Sequence, residues 1–328
     1  MKTHIDPVQV GKKLVGPGQP TYIVAEIGIN HNGYLRIAKD LIDVAVKAGA
    51  DAVKFQTRNV DVVFTEEELS RLRPVPRNIL ENAITRGVLS DDAVERLQMS
   101  DFQQSTNGDL KRLLEFTDAE YEEIDAYCKK VNIEWFTSCW NISSVVRMET
   151  FNPPCHKIAS ACNEDDGLML QAQATGKPVI LSTGMTDLEG VKTAVGILGK
   201  ENLVILHCTS VYPKGAESNL DILKLINLRG IDTLSEEFGV PVGFSSHDSG
   251  IQPTYAAVAR GAVMVEKHIT LERGMWGSDQ SSSVEPSGFI HLCGMIRQLP
   301  SVLGDGKITI YPAEEEVAKK LRRVRRQK

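Results

Sequence analysis

The chain has 328 residues, 42% hydrophobic and 24% charged, which describes a folded globular protein and excludes a disordered or fibrous one. Its 37 Lys and Arg against 43 Asp and Glu leave a net charge of -6, which argues against nucleic-acid binding as the main role. No apolar run approaches the ~20 residues of a membrane span. MKTHIDPVQVGKKLVG lacks the apolar core of a secretory leader. The expectation is a cytoplasmic protein whose six scattered cysteines, with no CxxC pair, are reduced thiols rather than disulfides or a zinc site.

Residues 5 to 20 place Val8, Val10, Leu14 and Val15 around Gly and Pro turns, which predicts a short hairpin covering the bottom of the main domain. The organising stretch is YIVAEIGINHNGYLRIAKDLIDVAVKAGADAVKFQT, Tyr22 to Thr57. It reads strand, turn, helix, strand, and two apolar strands joined by a helix of this length lie parallel. Glu26, Asn30 and His31 fall at or just past the end of the first strand, and Lys54 and Gln56 at the end of the second. A buried parallel strand is expected to be apolar throughout, so charge at its carboxyl end signals function. The segment from Arg58 to Gly108 is long and charged and reads as a functional loop or lid. DLKRLLEF and DAEYEEIDAYCKKVN then read as helices, the second with Asp118 as N-cap.

Strand signals resume at IEWFTSC, HKIAS, PVILSTG, LVILHCTS, PVGFSSH and MVEKHIT, each followed by a helical stretch. With the first two strands this gives eight strand–helix units. The fold class is α/β: a (β/α)8 TIM barrel with an N-terminal hairpin and a long insertion after strand 2. The expected organisation is a hairpin extension over residues 1–20, a barrel domain over 21–304 and a basic C-terminal tail over 305–328. An open doubly wound sheet ranks lower, because no Gly-rich phosphate loop follows the first strand.

Every strand ends in polar chemistry: Glu26; Lys54 and Gln56; Thr137 and Ser138; Lys157 and Ser160; Ser182 and Thr183; His207, Thr209 and Ser210; Ser245, Ser246 and His247; Glu266, Lys267 and His268. One such end is ordinarily structural. Eight on the same face of a closed barrel converge on one mouth. A lone histidine there is more often a hydrogen-bonded core residue, but His247 and His268 sit on neighbouring strands, and neutral imidazoles with open positions suit Mn²⁺, Fe²⁺, Co²⁺ or Zn²⁺. His31 and His207 are weaker candidates. Lys54 and Lys157 with Ser138, Ser160, Ser182 and Ser245 form the cationic, hydroxyl-rich set that a phosphate or carboxylate needs. A serine taken alone reads as a cap for a backbone group, whereas a strand lysine is hard to explain structurally, since buried lysines are rare unless paired. Glu26 reads as a partner for a lysine or as a general base.

These blocks together, AEIGINHNG, AVKFQT, KIAS, PVILSTGM, HCTSVYP, GFSSHDSGI, EKHITLER and GSDQSSSVEP, resemble the sialic acid synthase family over roughly residues 20–300. That family condenses phosphoenolpyruvate with an aldose to make nine-carbon 2-keto acids. The resemblance implies a metal-dependent, C–C bond-forming transferase. It assigns catalysis to Glu26, Lys54 and Lys157, and phosphoenolpyruvate binding to Lys54, Ser138, Lys157, Ser160, Ser182 and Ser245. It assigns sugar contacts to Ser210, Tyr212 and Asp279, and metal ligation to His247 and His268. The implied cofactor is a divalent metal, manganese first, with magnesium or cobalt as the other choices. The implied partners are phosphoenolpyruvate and a mannose-type acceptor: N-acetylmannosamine, its 6-phosphate, mannose 6-phosphate or a deoxy-diamino hexose. Neither nucleic acid nor membrane is implied, and a homodimer or higher homo-oligomer is.

Two departures bear on the acceptor sugar. Cys162 stands where relatives often carry an acid, and Gln280 where they carry a histidine; Cys162 itself reads as a small semi-buried thiol rather than a nucleophile. The chain ends on VAKKLRRVRRQK, about where relatives begin a C-terminal antifreeze-like domain, so the expectation is a barrel without it. Alternatives are a metal-dependent sugar aldolase or lyase, which would not need the lysine–serine set, and a non-catalytic barrel subunit of a biosynthetic complex, which would not keep the strand-end residues.

Overall fold

The computed structural model describes residues 4–211 and 219–324. Two short strands, β1 (Val8–Val10) and β2 (Lys13–Val15), pair antiparallel as the expected hairpin. Eight more come after them: β3 (Tyr22–Gly28), β4 (Ala52–Thr57), β5 (Glu134–Cys139), β6 (His156–Ile158), β7 (Val179–Ser182), β8 (Leu203–Thr209), β9 (Val242–Ser246) and β10 (Met264–His268). All eight pair parallel in chain order, and β10 closes onto β3. This is the (β/α)8 barrel.

Strand alternation sorts the side chains into two sets. Ile23, Ala25, Ile27, Val53, Phe55, Trp135, Leu181, Ile205, Phe244 and Val265 belong to the main core between the barrel and its helices. Tyr22, Val24, Ala52, Phe136, Ile180, Val204, Leu206 and Met264 fill the barrel's interior, where Val8, Val10 and Val15 of the hairpin join them. The hairpin therefore stoppers the amino end of the barrel. Its turn presses on β5: Lys12 N and Tyr22 Oη both donate to the Glu134 carboxylate, at 2.8 and 2.9 Å. Only glycine fits at Gly11, where φ is +52° and a Cβ would lie 2.0 Å from that carboxylate. Asp51 holds the same end together, accepting from Ile23 N at 2.6 Å, from Arg297 at 2.8 Å and from Lys13.

The insertion after β4 is not a loop. It folds into short helices with a core of their own, in which Val75, Ile79, Leu80, Ala83, Leu97, Leu110 and Leu113 are buried together. Arg86 fastens it to the barrel's shell. Its guanidinium makes a bidentate pair with Glu120 at 2.6 and 2.8 Å and donates to the carbonyls of Leu113 and Glu115. The helix Asp118–Val131 starts one residue earlier than expected: Thr117 is the N-cap, in a capping box with Glu120, and Asp118 occupies the first turn. Among its described residues, the segment between β8 and β9 carries two helices, Asn219–Leu225 and Gly230–Phe238. Near the C-terminus, the helix Pro312–Leu321 buries none of its side chains. Among the described residues no helix is long and apolar enough to cross a membrane.

Gly243 lies one step below Ser245 on β9, and a Cβ there would meet the Met264 carbonyl oxygen at 2.4 Å and Leu206 at 2.6 Å. Gly243→Ala is expected to force the β9–β10 seam apart and cost about 1–3 kcal/mol. Denaturant unfolding monitored by circular dichroism would measure it, and an unchanged midpoint would refute the seam's tightness.

Candidate active site

The top interior layer of the barrel is polar because inward rows that are apolar lower down turn polar toward the carboxyl end, as in Tyr22, Val24, Glu26 on β3 and Met264, Glu266, His268 on β10. Lys54, 3% exposed, stands between two carboxylates, 2.9 Å from Glu26 Oε2 and 3.7 Å from Glu266 Oε1. It also donates to Ser138 Oγ at 2.7 Å. The other oxygen of Glu26 accepts from the Gln56 amide at 3.2 Å. Burial pushes Glu26 up, to about 7, with Lys54 opposing and Glu266 adding to the rise. Glu266 is also desolvated, but Lys54 and Lys157 outweigh that and hold it below its ordinary value. Desolvation likewise works against the Lys54 ammonium, yet the two carboxylates raise its pKa overall.

Lys157 on β6 completes the set. It donates to Ser182 Oγ at 2.6 Å and to the Ile158 carbonyl at 2.8 Å. Burial lowers its pKa, with Glu266 opposing and Lys54 reinforcing. Ser160 and Ser210 face each other across Gly184, whose amide donates to Ser160 Oγ at 3.1 Å. A Cβ on Gly184 would sit 2.1 Å from Ser210 Oγ and 2.6 Å from Ser160 Oγ, so glycine is what lets the two hydroxyls approach. Ser245 Oγ donates to Glu266 at 3.3 Å. Two ammonium groups and the hydroxyls around them make a cradle for a small anion.

His247 and His268 lie with ring centres 5.3 Å apart on the same cavity. Burial lowers both imidazoles to about 3, helped at His247 by His268 and at His268 by Lys54. Both are thus neutral and able to offer a lone pair. His268 Nδ1 is buried without a hydrogen-bond partner, which is the kind of orphaned atom a metal would satisfy. Among the described residues no three His, Cys, Asp or Glu side chains converge as a ready metal cluster. The fit is therefore to a two-imidazole site that draws its other ligands from water and substrate.

Glu26, Lys54, Ser138, Lys157, Ser160, Ser182, Ser210, Ser245, His247 and His268 all line one cavity. Tyr212 lies outside the described residues. Asp279 does not line the cavity; it is half-buried at the start of a short turn of helix, Gln280–Ser282, beyond β10, close enough for its charge to act on His247. Gln280 points away, fully buried, donating to the Asn30 carbonyl at 3.0 Å and accepting from Thr270. Its exchange for histidine thus bears on loop packing rather than on sugar contact. Cys162 is a buried thiol that desolvation pushes up to about 11. His31 stacks on Phe116 at 4.1 Å, and His207 bonds the Ile226 carbonyl at 2.9 Å on the outer side of β8; neither faces the cavity.

Inspection of strand ends in the sequence assigns no role to four residues that complete the site. Glu266 is the second carboxylate on Lys54. Gln56 orients Glu26. Trp140 lines the cavity and carries the Arg58 guanidinium 4.8 Å above its ring. Arg58 in turn donates to Gln56 Oε1 at 2.9 Å and pairs with Glu115 at 2.7 Å, joining the two ends of the insertion at the barrel's rim. Glu266 and Gln56 are identifiable as polar members of their strand ends; Arg58 and Glu115, 57 positions apart in sequence, carry no local signal.

Comparison with known proteins gives one consistent result. The NeuB family model matches residues 80–308. The chain is 32% identical to the N,N'-diacetyllegionaminic acid synthase of Campylobacter jejuni, over 87% of this chain and 78% of that one. It is 31% identical to the human N-acetylneuraminate-9-phosphate synthase, over 94% and 78%. Among solved structures, an N-acetylneuraminic acid synthetase of Leptospira borgpetersenii in complex with citrate superposes with a TM-score of 0.73 at 29% identity, covering 98% of this chain and 100% of that one.

The raised pKa of Glu26 has a consequence for stability in metal-free protein. An unfolded Glu26 releases its proton near 4.5 and the folded one near 7, so between those values the folded chain binds more protons. The contribution of Glu26 is complete below about 4.5 and is lost as pH rises through about 7. Glu26→Gln, which cannot titrate, is expected to flatten the stability profile over that window. Urea melts in chelator at several pH values would measure it, and parallel profiles for the two proteins would contradict the assignment.

Proposed function

We propose that this chain, which belongs to the NeuB family, condenses phosphoenolpyruvate with a mannose-type aldose to give a nonulosonic 2-keto acid and inorganic phosphate. The observation that carries the reading is the pair of buried lysines, Lys54 and Lys157, each held by a serine hydroxyl in the cavity that also holds two neutral imidazoles. An aldolase acting without phosphoenolpyruvate has no use for that set. The names of the relatives, sialic-type and legionaminic acid synthases, favour an acceptor of the N-acetylmannosamine class or a phosphorylated or deoxy-amino variant.

Lys54 and Lys157, with Ser138, Ser160, Ser182 and Ser245, would bind the phosphate and carboxylate of phosphoenolpyruvate through charge-assisted bonds. His247 and His268 would hold a divalent metal, manganese by preference, which supplies Lewis-acid polarisation of the acceptor's aldehyde. C3 of phosphoenolpyruvate would then form a bond to the aldehyde carbon as the C=O π pair moves to the aldehyde oxygen, which takes a proton from solvent. Positive charge develops at C2, and a water molecule adds there while Glu26 takes its proton. A carboxylate poised near pH 7 suits that task. Lys54 and Lys157 stabilise the tetrahedral adduct until the C2–O bond to phosphate breaks and the C2 hydroxyl gives its proton to the departing phosphate as the ketone forms. Gln56, bonded to Glu26 on one side and Arg58 on the other, keeps the base aimed. Ser210, Tyr212 and Asp279 are the proposed contacts to the sugar hydroxyls.

The test is phosphate release from phosphoenolpyruvate with Mn²⁺ and a panel of mannose derivatives, with and without a 6-phosphate and an N-acetyl group. Release with one acceptor, abolished by chelator and by His268→Ala, is expected. Glu26→Gln should lower kcat by ~10²–10⁴-fold, while Lys157→Met should weaken phosphoenolpyruvate binding by ~10–100-fold. Cleavage of a sugar acid without any phosphoenolpyruvate requirement would favour the aldolase instead.

A further inference from the structure

The polar residues of β9 and β10 lie on two sides of the barrel wall. Ser245, Glu266 and His268 line the cavity; Ser246 and Lys267, paired in register, do not. Lys267 is 1% exposed, and its ammonium is wholly engaged by one short segment. It donates to Ser246 Oγ at 3.2 Å, to Asp248 Oδ1 at 3.0 Å and to the Asp248 carbonyl. Asp248 accepts in addition from Gly250 N at 3.0 Å, and its side chain is completely buried. The acceptors thus flank His247 on both sides, and Lys267 is itself the residue before His268. One ion pair behind the wall ties together the backbones that carry the two histidines.

A buried pair of this kind is a poor source of net stability. Removing one partner strands the other charge, whereas replacing both with neutral residues of similar size is often close to neutral. What the pair does provide is geometry. Three hydrogen bonds converge on one ammonium and fix the 246–248 segment against β10, and groups behind a ligating residue tune the affinity of the ion it holds. We propose that Lys267 and Asp248 are positioning residues that set the separation and aim of His247 and His268, and so the affinity for a divalent metal, without entering the cavity. The proposal rests on the reading of the two histidines as metal ligands.

Mn²⁺ titration of the full chain, followed by the paramagnetic resonance signal of free Mn²⁺, tests it. The double variant Lys267→Met/Asp248→Asn discharges the pair and keeps an acceptor for Gly250 N. It is expected to retain a Tm close to that of the parent in metal-free buffer and to bind Mn²⁺ ~10–100-fold more weakly. Ser246→Ala leaves the pair in place and removes its grip on the residue before His247. It should fold as the parent does and bind several-fold more weakly, which keeps the test decisive if the double variant fails to fold. Affinity equal to the parent in a folded variant overturns the positioning role while leaving the metal site standing. A parent protein that binds no Mn²⁺, and none of Co²⁺ or Mg²⁺ in competition, removes the metal reading and the proposal with it.

Discussion

Four charged side chains held out of water in one layer, Glu26, Lys54, Lys157 and Glu266, are the constraint on which the rest of the structure depends. An isolated buried charge is prohibitively costly, and a pair repays its desolvation only when geometry and further hydrogen bonds are good. Here two lysines and two carboxyl groups share the layer, and each ammonium carries a serine hydroxyl as well. The four come from β3, β4, β6 and β10, and β10 reaches the first two only by closing onto β3. An open sheet would leave Glu266 and Lys54 far apart. Barrel closure and charge compensation are therefore one requirement, and the apolar layers below them supply the burial that makes compensation necessary.

Much of this is legible in the sequence. The strands, their parallel order and the polar character of their carboxyl ends follow from apolar runs spaced by helical stretches. What the simple inspection of strand ends blurs is parity. Thr137, His207, Ser246 and Lys267 lie among the polar ends but project from the outer face, where Thr137 meets Cys139 and His207 meets Ile226. Ser138, Glu266 and His268, one residue away, project inward. Counting in twos from an apolar interior residue such as Phe136 or Met264 separates the groups without a structure. The two outermost pairs of the site, Arg58 with Glu115 and Lys267 with Asp248, obey no such period, because each joins residues brought together only by the closed fold.

The insertion after β4 shows another limit. Its charge and length suggest a loop, yet its short helices bury a common core and carry capping boxes at Thr65 and Thr106. The apolar positions are present, but in helices this brief they complete too few turns to declare a period. Gln280 is a lesson of the opposite kind. A polar residue beside a motif invites a ligand role, and its actual partners are Asn30 and Thr270 within the loop wall.

The hairpin at the amino end gives the barrel the form of a blind cup. With Val8, Val10 and Val15 packed into the interior below Val24 and Phe136, nothing passes through, and every molecule that reaches the lysines must come and go by the rim. For the condensation proposed above, this implies an order of traffic. Phosphoenolpyruvate, assigned to the lysine–serine floor in that reading, would arrive before an acceptor held nearer the mouth. On the way out the shallower product would clear before the deeper one, so a plug at the barrel's far end would order events at its open one.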